Sequence, residues 1–256
     1  MLHTTTHGDA GSAVVFCHGL FGQGRNFTQH AKSLAADHRV LLVDIPNHGR
    51  SAWTERWDFV AAADEVAELL DPATPVTLVG HSLGGKIAMV LALRHPELVQ
   101  RLCVVDVSPV PYAHGEEFAG YMDAMLALDL SALQRREDAD AALVEAVPNP
   151  VVRGFLLQNL RRDGDGWSWQ FNLALLRRDL ETLSGWPGDE LAGLPPYDGR
   201  VLWIAGERSN YITEEYASVM EGYFPRTRRV TIKDAGHWVH SEQPEVFIEV
   251  LRRFTR

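Results

Sequence analysis

Short runs rich in valine, isoleucine and leucine recur along the chain, and between most of them lie longer stretches whose apolar residues are three and four positions apart. The continuous runs are typical of strands buried on both faces of a parallel sheet, and the spaced stretches are typical of helices that cover it. The predicted strands are residues 14–17, 39–45, 75–80, 101–107, 200–205 and 228–233. The predicted helices are residues 26–36, 58–70, 83–95, 213–223 and 242–254. The pattern predicts an α/β protein with a mostly parallel central sheet flanked by helices.

The strand pattern disappears between Pro109 and Pro196. The chain there is rich in Ala and Leu and is interrupted at residues 148–150 and 163–166. So long a stretch exceeds a crossover connection, and the alternation of strand and helix resumes at Gly199. We therefore expect one α/β core that carries an inserted helical lid. The core is residues 1–109 and 197–256, and the lid is residues 110–196.

The charge balance narrows the class of partner. The 256 residues include 24 Lys and Arg against 34 Asp and Glu, which is a formal net charge of -10. Because nucleic-acid binding rests on a basic surface, we expect no nucleic-acid partner. The sequence does not indicate an oligomeric state.

The compartment is inferred from the cysteines and from the apolar runs. Cys17 and Cys103 each lie within an apolar run, where a reduced thiol packs as a small hydrophobic side chain. No apolar run approaches the roughly 18 residues of a membrane span. Residues 1–13 form a polar tail, with His3 and His7, that lacks the pattern of a signal peptide. We expect a cytoplasmic protein without a membrane partner.

The most informative chemical motif is Gly-His-Ser-Leu-Gly at residues 80–84. It directly follows a predicted strand and leads at once into a predicted helix, which is the setting that a G-x-S-x-G nucleophile elbow requires. Glycines fit this sharp turn because Cβ atoms there would clash, and the serine hydroxyl then projects free of the sheet. We predict that Ser82 is the nucleophile of an acyl-transfer reaction.

A second loop, His-Gly-Leu-Phe-Gly at residues 18–22, follows the first predicted strand. Acyl transfer needs two fixed N–H donors where negative charge develops. In this arrangement, one donor belongs to the residue after the nucleophile and the other to this loop. We assign the oxyanion hole to the backbone N–H groups of Leu83 and Leu20, with Phe21 as the alternative donor in the loop.

The general base is expected near the C-terminus, where residues 234–238 read Asp-Ala-Gly-His-Trp. A serine hydroxyl is a weak nucleophile at neutral pH and needs a neutral imidazole within hydrogen-bond reach. We assign this role to His237 and expect His18 and His81 to shape loops through hydrogen bonds. His240 stands three residues after His237, but no zinc signature accompanies the pair, and we expect neither a metal nor a cofactor.

Together with Asp-Ile-Pro-Asn-His-Gly-Arg-Ser at residues 44–51, these motifs resemble the α/β-hydrolase superfamily over essentially the whole chain. Shorter strings resemble one branch of it, the YbfF-like esterases, to which mitochondrial abhydrolase-domain proteins are related. These strings are residues 105–109, 206–211, Asn159-Leu160, Trp169, Phe171, Asn172 and Trp186-Pro187. The resemblance implies a serine esterase on an α/β-hydrolase fold.

The acid of the triad is not evident from the usual motif. Most relatives place it after the penultimate strand in a Gly-x-x-Asp turn, but residues 206–209 read Gly-Glu-Arg-Ser. A serine cannot carry the charge that orients the histidine and stabilises its imidazolium. Asp106, Glu207 and Asp234 are the open candidates. The resemblance to the YbfF-like branch implies an acid displaced to Asp106, and we adopt it with Glu207 as the alternative.

These residues predict a serine hydrolase, either a carboxylesterase or a thioesterase, that cleaves a small or medium acyl ester through an acyl-enzyme. An alcohol acyltransferase would use the same residues, and a non-catalytic ligand-binding protein is an alternative from another class. In the lid, arginines at 135–136 and 161–162 could meet an anionic group such as a coenzyme A phosphate. Four lid aromatics are candidates for pocket wall or core, namely Trp167, Trp169, Phe171 and Trp186.

Overall fold

The computed structural model describes residues 1–113 and 115–256, and the fold is built on one seven-stranded sheet. The strands of the described chain are β1 (Thr4–His7), β2 (Ser12–Cys17), β3 (His38–Val43), β4 (Val76–His81), β5 (Val99–Val105), β6 (Leu160–Asp163), β7 (Gly166–Trp169), β8 (Arg200–Gly206) and β9 (Thr227–Ile232). All of these except β6 and β7 belong to the seven-stranded sheet. The order across the sheet is β1-β3-β2-β4-β5-β8-β9, and all neighbours are parallel except β1 with β3. The predicted α/β fold with a mostly parallel sheet is confirmed.

Helices pack on both faces of this sheet. The helices of the described chain are α1 (Thr28–Leu34), α2 (Phe59–Ala67), α3 (Leu83–Arg94), α4 (Gly115–Leu126), α5 (Arg136–Ala142), α6 (Pro150–Leu157), α7 (Leu173–Arg178), α8 (Leu180–Ser184), α9 (Ala217–Tyr223), α10 (Val239–Glu242) and α11 (Pro244–Thr255). One hydrophobic core holds α1 and α11 against the sheet, and the other holds α2 and α3. Helix α3 is buried at every residue from Leu83 to Leu93, because it lies beneath further helices.

The N-terminal segment differs from the sequence prediction. Residues 1–13 were expected to be a polar tail, but Thr4–His7 form β1 at the edge of the sheet, antiparallel to β3. This strand is half exposed and contains three threonines and a histidine, so it has no apolar run. Its pairing with a hydrophobic neighbour, and not its own composition, makes it a strand.

The stretch predicted as a helical lid contains α4 to α8 and also a two-stranded hairpin, β6 with β7. The interruption at residues 163–166 is the turn of this hairpin, and Gly164 has a φ of +56° there. A two-residue turn with positive φ matches the twist of the flanking strands. The hairpin was not predicted because residues 160–169 lack an alternating apolar pattern.

Cys17 and Cys103 are free and buried, as the apolar runs predicted. Burial raises the pKa of the Cys17 thiol to about 12, because the thiolate is the charged form. Among the described helices, none combines the length and the apolar character needed to cross a bilayer.

The close packing of α3 against β2 gives a test of the fold. A Cβ atom on Gly84 would lie 2.3 Å from the Cys17 carbonyl oxygen and 2.4 Å from that of His18. We expect Gly84→Ala to lower the free energy of unfolding by about 1–3 kcal/mol or more. The matched change Gly120→Ala, in α4, meets nothing within 4 Å and should raise it by about 0.5–1 kcal/mol. Urea unfolding measures both, and equal effects of the two changes would contradict the packing argument.

Candidate active site

Ser82 lies in the turn between β4 and α3, with φ +52° and ψ -120°. Non-glycine residues seldom adopt positive φ, and such backbone strain clusters at functional sites. The Ser82 N–H donates to the Val105 carbonyl oxygen at 3.0 Å, which fixes the turn against β5. A Cβ atom on Gly80 would lie 2.3 Å from the Gly84 carbonyl oxygen. Both glycines of the predicted elbow are therefore required by close contact of the backbone.

His237 connects the serine to a carboxylate. Its Nε2 atom lies 3.0 Å from Ser82 Oγ, and its Nδ1 atom lies 2.8 Å from Asp106 Oδ2. The Asp106 side chain is fully buried, whereas 16% of the His237 side chain is exposed. The Tyr211 ring stacks on the imidazole at 4.1 Å between centroids. The structure thus brings together the three side chains that the sequence analysis assigned to the triad.

The Asp106 carboxylate accepts hydrogen bonds from three different segments. Besides the His237 ring, the Gly206 N–H donates to Oδ1 at 3.0 Å, and the Ser209 hydroxyl donates to Oδ2. Asp106 itself follows β5 directly and has a φ of +51°. Ser209, which stands where most relatives carry the acid, therefore contacts the carboxylate that lies one strand away. Sequence reasoning missed this role of Ser209.

The other two candidate acids lie elsewhere. Glu207 Oε2 accepts from the Asp234 backbone N–H at 3.1 Å, and both side chains are exposed. Among the described contacts, neither carboxylate is hydrogen-bonded to His237. Of the three carboxylates that the sequence left open, Asp106 is the one that faces the histidine.

The predicted oxyanion donors lie at the nucleophile. Leu20 and Leu83 line the same small cavity as Ser82. The Phe21 N–H donates to His48 Nε2 at 3.2 Å, so the alternative donor of this loop is already engaged. Two residues from separate backbone segments, the ones assigned to the oxyanion hole, therefore line the cavity at the serine.

Buried neutral histidines surround the site. Burial lowers the pKa of His18 to about 4 and that of His240 to about 3, because a buried imidazolium loses its hydration. His18 Nε2 accepts from the Ile45 N–H at 3.1 Å, and His81 Nε2 lies 2.8 Å from the His237 carbonyl oxygen. These contacts agree with the loop-shaping role predicted for His18 and His81. Within the described chain, no three side chains of His, Cys, Asp or Glu are grouped as a metal site needs.

The cavity beside Ser82 has a volume of about 50 Å³. Its wall comes from both the sheet side and the inserted helices, and includes Leu20, Val107, Tyr112, Phe118, Leu180, Leu183 and Tyr211. The four lid aromatics considered from the sequence are not among its lining residues. Phe171 is fully buried with Trp169 stacked on it, and Trp186 packs against Tyr223. Phe171 is thus part of the core, whereas Trp167, Trp169 and Trp186 are half-buried and pack against it, a distinction that the sequence did not make.

Lys86 is a further residue of the cavity that sequence analysis missed. It stands four positions after Ser82 on α3, which is about one helical turn and so the same helix face. Only 2% of Lys86 is exposed, and its Nζ donates to the carbonyl oxygens of Ser184 and Gly185. The Tyr112 ring lies 4.8 Å from Nζ. Among the described residues no carboxylate pairs with it, so the buried ammonium is held by dipoles and an aromatic face.

This burial predicts a pH-dependent stability. Burial lowers the pKa of Lys86 from 10.5 to about 7, so between these values the unfolded chain binds more protons and the contribution of Lys86 to stability rises with pH. We expect the free energy of unfolding of the wild type, relative to Lys86→Met, to increase between about pH 7 and pH 9. Urea unfolding at several pH values measures it. Lys32→Met, at an exposed position of α1, should show no such trend, and a flat Lys86 difference would refute the argument.

Comparisons with known proteins agree with this fold. The α/β hydrolase fold family matches residues 12–244. The sn-1-specific diacylglycerol lipase ABHD11 of Mus musculus is 38% identical over 250 residues, which are 94% of this chain and 80% of the relative. Esterase YbfF of Escherichia coli (strain K12) is 33% identical over 248 residues, 95% and 92% of the two chains.

A solved structure is also similar over nearly its full length. It is described as a marine microorganism esterase and superposes with a TM-score of 0.93 and 30% sequence identity, covering 99% of this chain and 98% of that one. The chain belongs to the α/β-hydrolase family. The predicted resemblance to this superfamily and to its YbfF-like branch is confirmed.

Proposed function

We propose that this enzyme, which stands among the esterases and lipases of the α/β-hydrolase family, cleaves a small or medium acyl ester or thioester through Ser82, His237 and Asp106. The observation that carries the proposal is the continuous contact from the Ser82 hydroxyl through both ring nitrogens of His237 to the buried Asp106 carboxylate. The names of the relatives, a diacylglycerol lipase and esterases, support an ester as the substrate.

In the proposed acylation, Ser82 Oγ attacks the carbonyl carbon of the ester while His237 Nε2 accepts the hydroxyl proton. The carbonyl oxygen becomes an oxyanion, which accepts hydrogen bonds from the Leu20 and Leu83 N–H groups. The imidazolium is stabilised by the Asp106 carboxylate. The bond from the carbonyl carbon to the leaving oxygen or sulfur then breaks, and His237 returns the proton to that atom.

In the proposed deacylation, a water molecule repeats the sequence on the acyl-enzyme. His237 Nε2 takes one water proton while the hydroxide oxygen attacks the acyl carbon, and the same donors stabilise the second oxyanion. The bond to Ser82 Oγ breaks, Oγ regains its proton from His237, and the carboxylic acid leaves. This cycle restores the enzyme and draws on no cofactor or metal.

The division into a core and a lid, residues 110–196, is part of the proposal. It is supported by the cavity wall, because Tyr112, Phe118, Leu180 and Leu183 come from the insert and face Ser82. A cavity of about 50 Å³ has room for a short acyl group. The absence of a nucleic-acid partner and the cytoplasmic location stay predictions from the sequence.

Removal of the nucleophile is the direct test. We expect Ser82→Ala to lower kcat on a short p-nitrophenyl ester by about 10⁴ to 10⁶, because only binding and the oxyanion donors remain. It should also abolish covalent labelling by a fluorophosphonate. Ser218→Ala, at an exposed position of α9, is the matched control and should keep wild-type rates. A Ser82→Ala enzyme with more than about a tenth of the wild-type activity would disprove the covalent mechanism.

The acid is tested by two isosteric changes. Asp106→Asn keeps the size of the side chain but removes the charge, and its amide can hold His237 in the wrong tautomer. We expect kcat to fall by at least about 10² in Asp106→Asn and by less than about tenfold in Glu207→Gln. Both are measured on one ester at saturating substrate. The opposite ranking would assign the acid to Glu207 and leave Ser82 and His237 in place.

A further inference from the structure

A second cavity, of about 860 Å³, lies apart from Ser82. Six arginines line it, namely Arg25, Arg50, Arg135, Arg136, Arg161 and Arg162. They come from the loops after β2 and β3, from the start of α5 and from the β6–β7 hairpin. Only two carboxylates, Asp44 and Glu137, share the lining. In a chain of net charge -10, this cavity is a concentrated region of the opposite sign.

The charges of these arginines are largely not neutralised. Four of the side chains donate to neutral oxygen atoms, which fix a guanidinium group without cancelling its charge. They are Arg25 to the Gln158 carbonyl at 2.8 Å, Arg136 to the Leu160 carbonyl at 2.8 Å, Arg161 to the Gln170 side chain at 3.1 Å, and Arg162 to the Gln134 and Asp165 carbonyls. Among the described residues, Arg135 is the only one of the six with a carboxylate within 4.0 Å, that of Asp138 at 3.3 Å.

The carboxylate of Asp44 is hydrogen-bonded to backbone N–H groups. Only 6% of Asp44 is exposed, and its two oxygens accept from the Gly24 N–H at 2.7 Å and the Arg50 N–H at 3.0 Å. The Nε of Arg136 is buried and has no acceptor among the described residues. The cavity therefore holds more guanidinium donors than its own acceptors satisfy.

We propose that this cavity binds a soluble anion that carries two or more phosphate groups. Guanidinium groups bind phosphate oxygens through paired N–H donors, and several of them around one space suit an anion with several charges. The volume is within the range of small-molecule sites. Both arginine pairs that the sequence linked to an anionic group line this one cavity, and Arg25 and Arg50 join them. The site is distinct from Ser82 and does not rest on the proposed function.

Inorganic tripolyphosphate is the probe, and isothermal titration calorimetry on the full chain is the measurement. Arg50→Gln and Arg162→Gln remove a charge from two different segments of the wall, and we expect each to raise the Kd for tripolyphosphate at least about tenfold. Arg177→Gln is the matched control, because Arg177 pairs with Asp123 on the surface and does not line the cavity. The melting temperature of each variant, compared with the wild type, shows whether it is folded.

The results separate the proposal from other readings. Tripolyphosphate binding that weakens in both cavity variants but not in Arg177→Gln supports the site. No binding to the folded wild type, or equal weakening in all three variants, overturns it. Sedimentation with phosphatidylglycerol vesicles that is lost in both cavity variants, with no binding of tripolyphosphate, would also overturn it, because the arginines would then serve a membrane surface. Tripolyphosphate can be titrated into Ser82→Ala protein in the same way. A failure of the proposed anion site is therefore distinguishable from a failure of the proposed esterase activity.

Discussion

The hydrogen bonds to the buried Asp106 carboxylate hold together the segments of the candidate site at Ser82. A charge without water is costly unless hydrogen bonds satisfy it, and here the donors come from Gly206, Ser209 and His237. Gly206 ends β8, Ser209 comes shortly after it, and His237 follows β9, whereas Asp106 follows β5. The order β4-β5-β8-β9 brings the ends of these strands to one edge of the sheet, so the local geometry of the site is a property of the whole sheet.

Ser82 and His237 could be predicted from the sequence because each lies in a short motif whose chemistry is local. The elbow around Ser82 needs Gly80 for contact within the turn and Gly84 for contact with the end of β2, and both glycines are visible in the short motif. Asp106 has no such motif, and the prediction of its role relied on resemblance to a branch of the family. The serine at position 209 indicated only that the usual acid is missing from the turn after β8. Its hydroxyl donates to Asp106, a contact between two strands that no local pattern contains.

The remaining differences have the same physical origin. Strand β1 is stabilised by pairing with β3, and β6 and β7 by pairing with each other, and none of the three carries a hydrophobic run of its own. Lys86 was overlooked because a lysine in a helix is usually solvated, whereas the carbonyls of Ser184 and Gly185 reach it from the insert. The arginine-lined cavity is likewise assembled from segments far apart in the chain. A buried apolar run can be predicted from its own sequence. The position of a buried polar side chain can be predicted only together with the groups that it contacts.

The insert leaves and re-enters the sheet between two strands that are direct neighbours. Strands β5 and β8 pair in parallel from Arg101 opposite Arg200 to Val105 opposite Ile204, and the Asp106 N–H continues the ladder to the Ile204 carbonyl oxygen. The long stretch of chain between them is therefore one insertion, and the two strands that flank it are joined directly by hydrogen bonds. Its length and composition can therefore change in evolution without a break in the sheet, so that substrate range can diverge while the chemistry beneath it is inherited intact.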